Sequence, residues 1–277
     1  MHHIHLKKWL LRALLLFLLL LICFGFYNPL TLVRYEVSSS DLPAGLDGYR
    51  IIQISDLHST QFGQQQNTLI QMIREAQPDL ILLTGDIMDK HDTDLEQVQM
   101  LLEGITQLAP VYAVAGNHEY TNYSLYVELK ALYERYHVAE LEDTGQLLLH
   151  NGERIYLYGI GALHAEDLEE GLPLSIPDPP EDCYGILLYH FSMDFEAIAA
   201  AQSGYSLLFT GHSHGGIIRL PLLGPLISND GTLFPKYAGG LYEQNGLTMV
   251  ASRGMGKSFI PRFNNPMELV CVTLTAG

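Results

Sequence analysis

Cysteine is scarce in this 277-residue chain: Cys23, Cys183 and Cys271 are the only three, with no CxxC pair and no Cys/His zinc spacing. A disulfide-stapled scaffold and a structural zinc domain are thereby excluded. Small core residues are the preferred reading of all three, and nothing requires a Cys183–Cys271 bridge. Positive charge is scarce too, with 15 Lys and Arg against 31 Asp and Glu and a formal net charge of −16. Such a chain is a poor candidate for gripping nucleic acid through its phosphates, although bound divalent cations would offset part of the excess locally. There is no internal repeat, no coiled-coil pattern and no low-complexity tract. No Pro-, Gly- or Ser-rich linker divides residues 45–277. With 48% hydrophobic residues, the chain has material for a large buried core.

What is present begins with "MHHIHLKKWLLRALLLFLLLLICFGFYNP". From Trp9 to Tyr27 only Arg12 interrupts an apolar run of 19 residues, the length of a membrane span, while the uncharged stretch Ala13–Phe26 is nearer a signal-peptide core. Arg12 lies near one end, where it can snorkel, and Trp9 and Tyr27 bracket the run like interfacial aromatics. No A-x-A site follows, which favours an uncleaved anchor. Lys7, Lys8 and Arg12 precede the run and only Arg34 follows closely, so the positive-inside rule keeps residues 1–8 in the cytoplasm and exports the rest. The expected organisation is a cytoplasmic tail (1–8), a transmembrane helix (9–27), a linker with an edge strand (28–48) and one catalytic domain (49–277). The expected location is the cell membrane, single-pass, with the catalytic domain on the extracytoplasmic side.

Beyond residue 49, apolar runs alternate with amphipathic ones. "RIIQIS", "PDLILLTG" and "PVYAVAG" read as strands, separated by helices over "QQQNTLIQMIREAQ" and "TDLEQVQMLLEGITQL". The second helix is expected to be capped by Thr93 or Asp94, and "SLYVELKALYERY" predicts a third. Strand-like segments then crowd together, including "QLLLHNGERIYLYGI", "CYGILLYH", "YSLLFTG", "GLTMVAS" and "MELVCVTL", with a helix over "MDFEAIAAAQ". Strand–helix alternation followed by mostly strands predicts an α/β sandwich of mixed sheets packed together with helices outside.

Five apolar strands end in metal-capable side chains: Asp56 and His58 in "IIQISDLHS", Asp86 in "LILLTGDIMD", Asn117 and His118 in "YAVAGNHEY", His190 in "GILLYHFS", and His212 and His214 in "LLFTGHSHGG". Strand ends of an open α/β sheet gather at one edge, where sites form. In Asp56-x-His58 and His212-x-His214 the two side chains project the same way if the extended geometry continues. Gly85, Gly116 and Gly211 free the backbone for sharp turns and close approach. Singly, each residue has a bland reading: His190 as a hydrogen-bonded structural histidine, Asp86 as a turn residue or helix cap, Asn117 as a turn former. Five such endings in order have no turn-chemistry explanation. Carboxylates, imidazoles and an amide suit borderline or hard first-row divalent metals such as Mn, Fe, Zn, Co or Ni. The donors are too many for one open catalytic ion and about right for two.

Together "DLH", "GDIMD", "GNHE", His190 and "GHSH" resemble the calcineurin-like metallophosphoesterase superfamily over about residues 49–275, and "SRGMGKSFIPRFNNPMEL" is similar to its membrane-linked bacterial branch. The resemblance implies a four-layer α/β/β/α sandwich and a dinuclear metal centre. It implies Asp56, His58, Asp86 and His214 around one ion, and Asp86, Asn117, His190 and His212 around the other, with Asp86 bridging. It implies His118 as the acid beside the scissile bond and a metal-bridging hydroxide attacking phosphorus. The expected substrate is a phosphodiester or a pyrophosphate, exported or lipid-linked; the rivals are a phosphomonoesterase or protein phosphatase on the same scaffold, and a non-catalytic metal-dependent binding module. Two positions depart from that branch: "HFSMD" lacks a proline two residues after His190, and Ile217 stands where many members carry Gln. Neither is a metal-ligand position. Arg253 is a candidate contact for a substrate anion, with surface or helix-end pairing an equal reading. Asp89, His91 and Glu119 lie near the motifs and could support the ligands from behind. His2, His3 and His5 could bind metal weakly. His137, His150 and His164 have no assigned role.

Overall fold

The computed structural model describes residues 2–39, 41–228, 231–256, 258 and 260–277, with residues 2–7, 11, 17 and 18 as backbone alone. Helix α1 (His2–Gly25) carries the long apolar run. Over Lys8–Gly25 it is long and apolar enough to cross a membrane. It stops at Gly25, so Phe26 and Tyr27 belong to the turn that follows. The side chains of His2, His3 and His5, considered above as weak metal binders, lie outside the described residues.

Strand β1 (Leu30–Ser39) comes next, then β2 (Arg50–Ile54), α2 (Asn67–Ala76), β3 (Leu80–Thr84), α3 (Glu96–Ile105), β4 (Val111–Val114), the short α4 (Asn117–Thr121), α5 (Tyr123–Arg135) and β5 (Ala139–Glu140). The second half holds β6 (Thr144–His150), β7 (Glu153–Gly159), α6 (His164–Glu169), β8 (Cys183–Phe191), α7 (Phe195–Ala201), β9 (Tyr205–Gly211), β10 (Ile218–Leu220), β11 (Gly224–Ile227), β12 (Gly240–Gln244), β13 (Leu247–Ala251) and β14 (Met267–Ala276). Two six-stranded mixed sheets result, ordered β1-β14-β2-β3-β4-β5 and β12-β13-β9-β8-β7-β6, with β10 and β11 as a separate hairpin. In the first sheet β2, β3, β4 and β5 run parallel. In the second, β7, β8, β9 and β13 do.

Period-two alternation builds the layers, because successive side chains of a strand face opposite sides. Ile52, Ile54, Ile81 and Leu83 pack outward against Leu69 and Ile73 of α2 and Val98 and Leu102 of α3. Their neighbours Ile51, Leu80 and Leu82 face inward onto Ile186, Leu188, Leu207 and Phe209 of the other sheet. Leu187, Tyr189 and Leu208 close a third core with Phe195 and Ile198 of α7. The order is helices, sheet, sheet, helices, the four-layer sandwich that the resemblance implies. Of the face its spacing predicts, Leu69, Ile70, Ile73 and Ala76, helix α2 buries Leu69, Ile73 and Ala76 and leaves Ile70 half-buried. Neither Thr93 nor Asp94 is the cap of helix α3: Leu95 holds the N-cap position without a side-chain cap, and Asp94 Oδ1, one residue earlier, accepts the Glu96 N–H at 3.1 Å. The cysteines depart from the core reading: only Cys271 is buried, Cys183 is partly exposed, Cys23 sits exposed on α1, and all three are free thiols.

Candidate metal centre

The C-terminal ends of β2, β3 and β4 in one sheet open toward those of β8 and β9 in the other. The loops after β2 and β3 are stapled in step: Asp56 N–H donates to Gly85 O, His58 N–H to Asp86 O and Ser59 N–H to Ile87 O, each at 3.0 Å. Extended alternation does not carry the two spaced pairs. Asp56, His58, His212 and His214 all have positive φ, at 48°, 45°, 67° and 47°. Each strand therefore ends in a left-handed turn that curls its side chains back over the strand tip. Asp86 is left-handed too, at φ 52°. Gly85 precedes it at φ 86°, where an added Cβ would lie 2.5 Å from His190 Nδ1 and 2.8 Å from Gly116 N. Only glycine permits both that backbone and that approach.

Seven predicted donors converge. Asp56, His58, Asp86 and His214 each bring one ligand atom within 4.8 Å of the others, and Asp86, His190 and His212 form a second such group. Asn117 Oδ1 joins the second group, 2.9 Å from His212 Nδ1. Within the first, His58 Nε2 is 3.1 Å from His214 Nε2 and His214 Nε2 is 3.5 Å from Asp56 Oδ1. Asp86 Oδ2 lies 3.8 Å from His58 Nε2 and 3.3 Å from His190 Nε2. Its other oxygen accepts from the His118 N–H at 2.9 Å, and Asp56 Oδ1 likewise accepts from the His212 N–H at 2.9 Å. Asp56, Asp86, His190 and His214 are buried.

This donor set fits divalent metal ions. His190 Nδ1 sits 2.9 Å from Thr84 O; a carbonyl only accepts, so Nδ1 carries the proton and Nε2 presents a lone pair. That lone pair faces the Asp86 carboxylate, a second acceptor, an arrangement that needs a proton or a cation between them. Electrostatics agree. Burial lowers the His190 pKa while the Asp86 carboxylate raises it, and the balance stands at about 9. Burial raises Asp56. Asp86 is held well below the usual carboxylate range: burial pushes it up, and the His190, His58 and His118 rings outweigh that. Two buried carboxylates facing imidazoles are a costly arrangement without compensating positive charge.

His118 stands at the rim, 3.9 Å from Asp86 Oδ2 through Nε2. Asp89 Oδ2 lies 3.2 Å from His58 Nδ1 and 3.3 Å from His118 Nδ1. Glu119 is buried and accepts backbone N–H groups of Asp86 at 2.9 Å, Ile87 at 2.8 Å, Met88 at 3.2 Å and Gly116 at 2.8 Å. His91 is exposed, as is His137. His164 pairs with Asp143 and Asp167 at 3.1 and 3.2 Å, and His150 meets the ring of Tyr49. Arg253 Nε lies 3.2 Å from Glu268, and among the described residues no ion pair joins it to Asp56 or Asp86. The arginine that does touch the centre is one sequence reading assigned no role. Buried Arg262 donates to His214 O at 3.2 Å and to Arg253 O at 2.8 Å, with Nη2 3.3 Å from His214 Nδ1. Its only sequence signal is its place in "PRFNNP", a segment with no ligand spacing. Ser192, where the branch carries proline, donates through Oγ to Tyr237 O at 2.8 Å, and Ile217 is fully buried.

A model of the calcineurin-like phosphoesterase family matches residues 49–216, well over half the chain. The chain is 29% identical over 248 residues to an uncharacterized metallophosphoesterase, YkuE, of Bacillus subtilis, covering 87% of this chain and 84% of that one. It is 25% identical over 235 residues to the phosphodiesterase YaeI of Escherichia coli, covering 82% of each. It is 25% identical over 301 residues to the UDP-2,3-diacylglucosamine pyrophosphatase LpxG of Chlamydia muridarum, covering 88% of this chain and 89% of that protein. With the family's matched residues running through each of the five strand ends that meet at Asp86, the chain belongs to the calcineurin-like phosphoesterases, hydrolases of phosphoric ester bonds.

Proposed function

We propose that the protein hydrolyses a phosphodiester or pyrophosphate bond of a lipid-linked or exported substrate, using two divalent metal ions held at the membrane surface. The observation that carries this reading is the position of Asp86, whose carboxylate belongs to both donor groups. Asp56, His58, Asp86 and His214 would hold one ion, and Asp86, Asn117, His190 and His212 the other. Bound there, such a pair supplies Lewis-acid stabilisation of phosphoryl charge and an activated water near neutral pH.

The chain's own groups orient and protonate. Lys90 N–H donates to His118 Nδ1 at 3.0 Å, so the neutral ring keeps its proton on Nε2, the nitrogen facing Asp86. Burial holds the His118 pKa below its ordinary value. The neutral ring offers Nε2–H as a hydrogen-bond donor to a phosphoryl oxygen; only when Nδ1 is protonated as well, beside Asp89 Oδ2 at 3.3 Å, would it give the Nε2 proton to the oxygen leaving phosphorus. Beside His212 and Ser213 opens a cavity of about 440 Å³ whose walls combine Met193, Ala197 and Pro235 with Asp194, Glu196 and Lys236. The apolar part of that wall gives room for an apolar portion of the leaving group. The diacylated sugar in the name of the Chlamydia relative points the same way.

The test is metal analysis and turnover of the purified full-length chain. We expect about two ions per chain, and hydrolysis of bis-p-nitrophenyl phosphate and of lipid pyrophosphates to exceed that of p-nitrophenyl phosphate with added manganese. Asp86→Asn should lose metal and rate together; full occupancy in that variant would remove the bridging assignment. A preference for the monoester would favour a phosphomonoesterase, and activity on no ester a binding module.

A further inference from the structure

Between β9 and β12 the chain builds a finger that the phosphoesterase site does not use. Hairpin β10–β11 carries a third short segment, since Ile227 bridges Leu233 and the Phe234 N–H donates to Leu226 O at 2.9 Å. Its apolar residues face outward: Leu222 is fully exposed, Leu223 is 70% exposed, Leu233 65% and Phe234 63%. Leu222 and Phe234 hold left-handed backbone, at φ 69° and 51°, an arrangement that turns large apolar side chains out where glycine or asparagine would be the easier choice. From Ile217 to Phe234 the sequence has two charges, Asp230 and Arg219. The Arg219 guanidinium is turned into the body, donating to Gly215 O and Ala238 O at 2.6 and 3.2 Å. Four large apolar side chains held outward on one finger mark a contact with something apolar.

The finger is continuous with the end of α1. Phe263 is the link. Its ring meets the ring of Phe26 edge-on at 5.2 Å. Its backbone bridges Ile218, with Arg219 N–H donating to Phe263 O at 2.9 Å and Phe263 N–H to Ile217 O at 3.0 Å. Asn28 completes the joint, donating to Arg262 O at 2.8 Å and accepting the Asn265 N–H at 2.7 Å. Leu222 is four residues along from Ile218, so the tip lies within about 13 Å of that joint at strand rise. Thr232 and Pro235, which flank Leu233 and Phe234, line the cavity beside His212.

We infer that this finger, Leu220–Leu223 with Leu233 and Phe234, enters the bilayer interface beside the α1 anchor and so holds the mouth of the His212 cavity against the lipid. The inference rests on the reading of α1 as a membrane anchor. Apolar side chains without charge settle into the headgroup–acyl boundary, and a second contact stops a single-helix tether from swivelling.

The sole tryptophan, Trp9, makes a direct test available. In a Trp9→Phe background, single tryptophans are placed at Leu222→Trp, Leu223→Trp or Phe234→Trp, and at Leu149→Trp as a control on β6, where the leucine is 74% exposed. Each full-length variant is assembled in nanodiscs of phosphatidylcholine with or without brominated chains. We expect loss of emission in brominated discs at the three finger positions and no change at position 149. Quenching at the finger no greater than at position 149 overturns the inference. Hydrolysis of soluble bis-p-nitrophenyl phosphate by the same samples reports the metal centre separately, so failure of the finger and failure of the phosphoesterase reading are told apart. Quenching with no hydrolysis would leave the finger standing and remove the enzyme reading.

Discussion

His118 packs its ring edge-on against His58 at 4.4 Å, but its Nε2 is 3.9 Å from Asp86 and its Nδ1 receives a backbone N–H. Removing its ring should spare metal binding and slow the chemistry. We expect His118→Ala to lower turnover by ~10²–10⁴-fold with metal content unchanged, measured by steady-state kinetics alongside metal analysis. Asp194 provides a separate test, away from the metal loops. It accepts the Tyr189 hydroxyl at 2.9 Å, and burial raises its pKa to about 6. A carboxyl with a raised folded pKa is protonated in the native state where the unfolded chain has already ionised. Native stability therefore falls as pH rises from the unfolded value through about 6, and the loss is complete above it. Asp194→Asn, which cannot ionise and still accepts the Tyr189 hydroxyl, should flatten that slope. Thermal unfolding at pH 4.5 and 7.5 reads it, with a smaller gap in Tm expected for the variant.

At the scale of loops and strands, Glu119 joins two of the metal loops. Four backbone N–H groups, from Asp86, Ile87, Met88 and Gly116, converge on one carboxylate. Burial and the nearby Asp86 charge raise its pKa to about 7 while the N–H of Gly116 and that of Met88 lower it. An amide has one acceptor oxygen in place of two, so Glu119→Gln leaves donors unsatisfied at about 1–3 kcal/mol each. A lower Tm and weaker metal binding should appear together, checked by calorimetry and metal titration; a Tm equal to wild type would show the loops are held some other way. This role was only half legible. "GNHE" places Glu119 next to the site, but nothing local says that its carboxylate turns back onto the "GDIM" loop. The same applies to Asp56 and His58. Their residue types mark them as donors, whereas the left-handed turn that aims them is set by the ladder from Asp56, His58 and Ser59 to the Gly85–Ile87 backbone, partners some thirty residues away. Helices α2 and α3 were readable because amphipathic periodicity is written in adjacent residues. Arg262 was not, because its partners His214 and Arg253 lie on other elements.

For the molecule as a whole, the end of α1 is tied to the sandwich through the Phe26–Phe263 and Asn28–Asn265 contacts. With Lys7, Lys8 and Arg12 before the apolar run, the positive-inside rule predicts export of the sandwich if α1 spans the membrane, the topology we propose. A C-terminal reporter active only outside the cytoplasm should give signal, and one active only inside should not; the reverse result would invert the topology. The sheets themselves are pinned beneath the metal loops, where buried Gln53 of β2 donates to Thr84 Oγ1 at 2.9 Å in its own sheet and to Thr210 O at 2.8 Å in the other. From residue order alone one can read the strand–helix alternation, the apolar N-terminal helix and the donor chemistry at five strand ends, since each is set by neighbours a few positions apart. Only the packing of one sheet on the other decided that Asp86 lies within reach of both histidine groups and that Arg262 rather than Arg253 touches the centre, and only tertiary contacts set an apolar finger beside the end of α1. Those are distances between segments far apart in the chain, and burial of the shared core is what sets them.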